Sequence, residues 1–365
     1  MTMPPPGQWP PPPQGPPQGP PQWNPQQGPP PKGGNKAKWI LGGLALLVVV
    51  VVSMVATLLV TRSSSGSTTP TASGPPSTSV DASNIASADD REPAGIITDD
   101  PTCSAWGPTN AAFVHASDGG WGQRDPTIPA DRWTPDQRSQ YEAVGAALNA
   151  VADRSVQLAR QTPHRPMREL YEQFAAYGRA YAERIQNYTA EADQLARVAV
   201  STSSAVTAIC DAITYGSAGA RMPLVARAAP PTVVANVDDS TRPQRFLTTA
   251  GPVCADWLSA VDRFSTDTEA WRTIDPNIPS AQLDERQRDI NAAVMPIMQS
   301  FATNTQILGR KSKNPVLEDF ATLSAQYRRA YVSALPTYTP ADNYLQMAAG
   351  SAAGAVSGAC RAAGT

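Results

Sequence analysis

The stretch WGQRDPTIP at Trp121–Pro129 recurs 150 positions later as WRTIDPNIP at Trp271–Pro279. The same shift superimposes further tyrosines, arginines and cysteines, and near the start of each region the shift becomes 151. Self-similarity at a fixed period is the signature of a repeated structural unit. The sequence therefore predicts two copies of one domain, at 102–215 and 251–365, joined by a linker at 216–250 that has no obvious helix.

Each copy has helical periodicity. In the second segment of the first copy, apolar residues recur at steps of three and four from Tyr141 to Leu158, and the second copy repeats the pattern from Asn291 to Leu308. Four such amphipathic segments in about 110 residues predict an all-α fold of two antiparallel four-helix bundles in tandem. Alanine fills most core positions of the last segment, Leu345 to Ala359, so we expect that helix to pack more closely.

The cysteines support this arrangement independently. Cys103 and Cys254 begin the first helix of each copy, whereas Cys210 and Cys360 end the fourth helix. These two ends meet in an up-down-up-down bundle. Four cysteines allow three connectivities, and the repeat favours Cys103–Cys210 with Cys254–Cys360, because each copy then has the same clasp. The alternative is four buried thiols. Disulfides form in oxidising compartments, which fits a domain outside the cytoplasm.

The N-terminal part divides by composition into three segments. Residues 1–38 hold fifteen of the 37 prolines, which favours a disordered or polyproline II tail. Residues 39–60 are uncharged, and at about 1.5 Å per residue a helix of this length spans a hydrocarbon core of about 30 Å. Residues 61–101 form a Ser/Thr/Pro-rich stalk, and we expect little fixed structure up to about residue 101.

The charges flanking residues 39–60 predict the topology. Three lysines precede the segment and Arg62 follows it, which places the N-terminus in the cytoplasm and the duplicated domain outside. The segment is longer and begins later than a secretory signal, so we expect an uncleaved anchor in the cell membrane. The tail is either a docking strip, with Trp9 and Trp23 as anchors, or a solvated spacer.

Histidines and recognisable catalytic or nucleotide-binding motifs are scarce in the sequence. The two histidines, His115 and His164, both lie in the first copy, so a histidine-based catalytic or zinc site cannot be duplicated. The sequence has no G-x-S-x-G, P-loop or G-x-G-x-x-G motif. Beyond Lys38 there are 26 basic and 31 acidic residues, a net charge of −5 that argues against nucleic-acid binding. We therefore predict a non-enzymatic protein without cofactor or metal.

Two repeated strings are candidates for a ligand or partner surface. The W-x3-D-P-x-I-P string is interpreted as a stiff connection between the first two helices, or alternatively as a binding rim. The Y-x-R-A-Y string is interpreted as a tyrosine stripe in the core, or alternatively as a groove for an anionic or glycan-like ligand. The candidate residues are Trp121, Asp125, Tyr177, Arg179, Tyr181, Trp271, Asp275, Tyr327, Arg329 and Tyr331.

The order of proline-rich tail, single span, Ser/Thr/Pro stalk and alanine-rich domain resembles uncharacterised mycobacterial and related actinobacterial proline-rich, single-pass membrane proteins. The resemblance implies a cell-envelope location and supplies no activity. We therefore expect a membrane-anchored envelope protein whose duplicated domain binds another envelope protein or assembly. The alternative is an extracytoplasmic carrier or sensor that binds a lipid or small molecule between the helices.

Overall fold

The computed structural model describes residues 84–237 and 241–364. The predicted tail, membrane span and first part of the stalk, residues 1–83, lie outside the described residues. Within the two described ranges the chain forms nine α-helices and no strand, as the periodicity predicts.

A membrane-spanning helix is not found among the described residues. No single helix there combines enough length and apolar character. The segments 190–214 and 217–224 meet the criteria of length and composition only as a pair, and a bend of 77° separates them.

The described helices follow the repeat. In the first copy they are α1 (Cys103–Asp118), α2 (Pro135–Gln161), α3 (Arg165–Arg184) and α4 (Asp193–Thr214). In the linker lies the short α5 (Ser217–Arg221). In the second copy they are α6 (Cys254–Asp267), α7 (Glu285–Lys311), α8 (Pro315–Ala334) and α9 (Asn343–Ala362). Consecutive helices of each copy pack together, and the fourth helix also contacts the first.

The second helix of each copy starts with the same reciprocal cap. Gln137 N donates to Thr134 Oγ1 at 3.2 Å while Thr134 N donates to Gln137 Oε1 at 2.9 Å. Asp284 and Gln287 form the equivalent pair at 2.8 and 3.0 Å. Such capping boxes satisfy backbone N–H groups that a helix start leaves unpaired, so both long helices begin at a defined residue.

Both predicted disulfides are confirmed. Cys103 bonds to Cys210 and Cys254 bonds to Cys360, with Cα–Cα distances of 5.2 and 5.3 Å. Each disulfide ties the start of its unit to the end, so the fourth helix is held beside the first in both bundles.

The two copies are joined by their last helices. α4 and α9 pack along their lengths in antiparallel orientation: Tyr215 at the end of α4 stacks on Tyr344 at the start of α9, with ring centroids 5.1 Å apart. Near the other end of the pair, a Cβ on Gly358 would lie 2.9 Å from Val198 Cγ2. The stretch 348–360 of α9 is buried at every position. The small residues of this helix allow close packing, and at Gly358 the close neighbour belongs to the other copy.

The segments that precede the two copies are exchanged between them. The Tyr177 hydroxyl of the first copy donates to Leu247 O at 2.9 Å, and Leu247 precedes the second copy. The equivalent Tyr327 of the second copy accepts a hydrogen bond from Ile97 N at 3.1 Å, and Ile97 precedes the first copy. A shift of 150 converts one contact into the other. Such reciprocal contacts characterise a two-fold dimer, so the copies pair like the subunits of one.

The prediction of little fixed structure up to about residue 101 is wrong for residues 84–101, and the linker, predicted to have no obvious helix, contains one and also packs on the helices. The described end of the predicted stalk buries Ile85, Ala94 and Ile97. The linker contains α5, and after it Thr241 and Leu247 accept hydrogen bonds from α3 side chains. We call these two segments the straps: the N-terminal strap is the described end of the predicted stalk, and the second strap is the part of the linker after α5.

Candidate interaction surface

The tryptophans of the first repeated string lie in the core. Trp121 is 3% exposed, and its Nε1 donates to the Tyr181 hydroxyl at 2.9 Å. The Arg124 guanidinium lies 3.5 Å from the Trp121 ring centroid and donates from Nε to Asp193 at 3.0 Å. In the second copy Trp271 packs edge-on against Tyr331, with ring centroids 5.8 Å apart. Four of the candidate residues therefore stabilise the helix connection and are not available to a ligand. They are Trp121, Tyr181, Trp271 and Tyr331.

The aspartates of the same string are exposed and shape their own loops. Asp125 Oδ1 accepts hydrogen bonds from the backbone and hydroxyl of Thr127, at 2.9 and 2.6 Å. Asp275 Oδ1 accepts two bonds from Asn277 in the same way, at 2.9 and 3.0 Å. An aspartate that bonds the backbone two residues on forms an Asx turn, which is a structural role.

The tyrosines of the second repeated string lie in the core, apart from its arginines. Tyr177, Tyr181, Tyr327 and Tyr331 are all buried, and burial raises the pKa of each phenol above its usual range. These side chains form a tyrosine stripe in the core, the first of the two interpretations of this string.

The arginines of the second string point elsewhere. Arg179 bonds Asp153 on α2 at 2.6 Å and Thr241 O on the linker at 3.1 Å. Arg329 bonds Gln306 on α7 at 2.9 Å. Because each arginine is held against a neighbouring helix, the structure does not bring tyrosines and arginines together in a groove.

Sequence reasoning missed an exposed apolar corner. Tyr215, Met222 and Leu224 are 53, 43 and 59% exposed within a stretch of ten residues, and the Tyr215 ring stacks on Tyr344. We call these four residues the apolar corner. Among the described residues, three of the five exposed large hydrophobic side chains belong to it. The signal in the sequence is Tyr215 at the predicted end of the first copy, followed by Met222 and Leu224 in the predicted linker.

The apolar corner is held by both copies. Gly216, with φ of 80°, turns the chain sharply after α4, a backbone conformation that favours glycine. Arg221 on α5 then donates from Nε and Nη2 to both Asp342 oxygens at 2.9 Å and from Nη1 to Thr337 at 2.9 Å. A bidentate arginine–carboxylate pair has a fixed geometry, so α5 is anchored on the second copy.

A groove opens between α6 and α7 in the second copy. Its volume is about 320 Å³, near the lower limit for ligand pockets. Phe264 and Phe301 stack in its floor with centroids 4.2 Å apart, and Arg263 and Asp267 also line it. The buried Arg328 guanidinium lies 4.9 Å from the Phe264 ring centroid, and desolvation lowers its pKa to about 10. No group of three or more metal-ligating side chains lies together in the described part of the chain.

Comparison with known proteins gives one family and one close relative. The family described as "Mycobacterial ESX-1 associated protein" matches residues 85–364. An uncharacterised protein of Mycolicibacterium smegmatis (strain MKD8) is 48% identical over 366 residues, which cover 100% of this chain and 97% of that protein. No solved structure matches. The matched family region begins at the buried Ile85 and includes both copies with the straps that join them.

Proposed function

The chain belongs to the mycobacterial ESX-1 associated protein family, and on that basis we propose that its duplicated domain binds a protein component of the ESX-1 secretion system. The protein is non-enzymatic in this proposal. It is anchored in the cell membrane by residues 39–60, with its N-terminus in the cytoplasm and the duplicated domain outside. The uncharged segment, the lysines before it and the two disulfides support this topology.

The observation that supports binding of a protein is the apolar corner. Exposed apolar clusters on soluble domains mark interaction sites, and tyrosine and methionine are enriched in protein interfaces. The Tyr215 ring is already stacked on Tyr344, so little conformational entropy is lost when a partner covers it. The partner that fits is a protein with a complementary apolar surface.

Among the residues that the structure describes, the apolar corner occurs once. The shift of 150 takes Tyr215 to Thr365 and Tyr344 back to Gln194, so the symmetry-related position lacks both aromatic rings. Its residues also come from both copies, because Tyr215 directly follows α4 and Tyr344 lies in the first turn of α9. We therefore propose one partner molecule per chain, bound only when the two copies are joined.

The test compares two full-length variants in mycobacterial cells. Met222→Glu with Leu224→Glu places two charges in the apolar corner, whereas Ile307→Glu places one on an exposed hydrophobic position of α7. After crosslinking and affinity purification, the wild type and Ile307→Glu should recover an ESX-1 component identified by mass spectrometry. The variant with Met222→Glu and Leu224→Glu should recover at least about tenfold less of that component, equivalent to about 1.4 kcal/mol of binding free energy. Equal recovery by both variants, or no ESX-1 component with the wild type, contradicts the proposal.

A carrier or sensor remains the alternative, and the groove between α6 and α7 supports it. Its floor of two phenylalanines and Ile297 suits an acyl chain or another small apolar molecule. Native mass spectrometry of the full-length chain distinguishes the two functions. A co-purified ligand that Ala260→Trp displaces from the groove favours the carrier, and an unliganded mass favours the binding protein.

A further inference from the structure

Two carboxyl groups face each other where the copies meet. Glu169 on α3 and Asp319 on α8 are equivalent positions, because the shift of 150 converts one into the other. They are 0 and 1% exposed, and their side chains lie within hydrogen-bonding reach. In a pair of copies related like a symmetric dimer, equivalent residues that touch lie on the symmetry axis. This carboxyl pair therefore marks the axis of the duplicated domain.

Asp319 is paired with one arginine, which binds both of its oxygens. Arg165 of the other copy donates to both of its oxygens, from Nε at 2.7 Å and from Nη2 at 2.8 Å. The same guanidinium donates to the carbonyl oxygens of Asp90 and Glu92 in the N-terminal strap, at 2.7 and 3.0 Å. A buried arginine in this bidentate geometry stabilises an ionised carboxylate. Asp319 is therefore the charged member of the pair.

Glu169 lacks such partners. Neither of its oxygens accepts a hydrogen bond from a donor group on the residues that the structure describes. The Arg168 guanidinium is 3.9 Å from Glu169 Oε1, beyond hydrogen-bonding distance. An ionised carboxylate buried without hydrogen bonds is costly, whereas a carboxylic acid can donate its proton to a facing carboxylate.

We propose that Glu169 and Asp319 share one proton across the axis, and that this proton joins the two copies of the domain. The copies then pair most tightly when the proton is present and loosen as the surrounding pH rises. This inference is independent of the proposed partner.

The charged groups around the pair favour holding a single proton. Facing it or lying beside it are Arg165, Arg168 and Glu172 from α3, Glu318 from α8, and Asp90 from the strap. Arg165 is committed to Asp319, and the Glu318 carboxylate accepts a hydrogen bond from the Thr232 hydroxyl at 2.6 Å. The acidic groups outnumber the basic ones, so a second negative charge at Glu169 is opposed by its neighbours.

The direction of the pH dependence follows from the burial of Glu169. Desolvation, with the nearby Asp319 charge, raises the pKa of Glu169 well above its usual range. A carboxyl whose pKa is raised by folding contributes stability that is fully present below its unfolded pKa of about 4.3. That contribution is lost as the pH rises from about 4.3 toward the raised value. The folded domain should therefore be more stable at about pH 5 than at about pH 8.

Glu169→Gln tests the proposal, because the amide is neutral at every pH and can donate to Asp319 as the acid does. Thermal unfolding of the full-length chain is followed by tryptophan fluorescence between about pH 5 and 8. The wild-type midpoint should fall by more than about 2 °C over this range, and the Glu169→Gln midpoint should fall less and exceed the wild type at about pH 8. Glu183→Gln, exposed on the same helix, is the control and should keep the wild-type slope.

Equal pH slopes for the wild type and Glu169→Gln overturn the proposal, as does a Glu169→Gln chain that is less stable throughout the range. Infrared spectroscopy of the wild type provides a second readout that needs no substitution. A carboxylic-acid C=O absorption should persist at about pH 7, where solvated carboxyls are ionised. Its absence at that pH equally overturns the proposal.

Discussion

The contact between α4 and α9 makes a prediction that two glycine substitutions can test. In Gly358→Ala the new Cβ would lie 2.9 Å from Val198 Cγ2 and 3.3 Å from Val198 N on the other copy. Valine is branched at Cβ and the amide belongs to a helix backbone, so neither neighbour moves easily. Gly219→Ala is the matched control, since Gly219 is exposed on α5 and has open space around the added methyl group.

The two substitutions share a helix-propensity term and differ in packing. Replacing glycine by alanine within a helix gains about 0.5–1 kcal/mol of folding free energy. Overpacking a close contact typically costs about 1–3 kcal/mol. Gly219→Ala should therefore stabilise the protein, and Gly358→Ala should be less stable than Gly219→Ala by about 1–3 kcal/mol.

The assay is thermal unfolding of the full-length chain at constant pH, followed by tryptophan fluorescence. At roughly 2–4 °C per kcal/mol, the midpoints of the two variants should differ by about 2–12 °C. If Gly358→Ala stabilises the chain as much as Gly219→Ala does, α4 and α9 are not in close contact at Gly358, and the pairing of the copies described above is wrong.

Further predictions concern the clasps and the end of α4. Replacing Cys103 and Cys210 by serine removes a clasp that closes 107 residues, so the free energy of unfolding in urea should fall by about 4–5 kcal/mol in the chain-entropy model. The same double change at Cys254 and Cys360 should have a similar effect, and an unchanged midpoint would contradict a structural role. Burial raises the pKa of Asp211 from 3.8 to about 6. The contribution of the protonated Asp211 side chain to folding stability is therefore lost as the pH rises through that interval. Asp211→Asn should therefore raise the unfolding midpoint above about pH 6 and leave it unchanged below about pH 4, whereas a uniform effect would exclude this cause.

The internal arrangement of each copy could be predicted from the sequence because its signals are local. Apolar spacing from Tyr141 to Leu158 indicates a helix whatever lies around it, and Thr134 followed by Pro135 indicates where that helix begins. The repeat then selects the cysteine pairing, since equivalent residues must have equivalent partners.

The arrangement between the copies could not be predicted in the same way. Alanines along α9 allow a close helix neighbour but do not say whether that neighbour belongs to the same bundle or to the other. The Tyr177 hydroxyl meets a strap carbonyl and the Tyr327 hydroxyl meets a strap amide, and both of these partners are distant in sequence.

The apolar corner was missed for a related reason. Its residues adjoin glycines and a proline, which are typical of linkers, and only the docking of Arg221 on Asp342 fixes them on the surface. The exposure of Met222 and Leu224 is therefore a product of tertiary structure.

The most direct test of the proposed function is site-specific photocrosslinking in mycobacterial cells. A photoreactive amino acid is placed at Leu224 in the apolar corner or at Ile307 on α7, both exposed in the full-length chain. We predict that position 224 crosslinks to a component of the ESX-1 system in a single product and that position 307 does not. Equal crosslinking from both positions, or no ESX-1 component from position 224, would contradict the account.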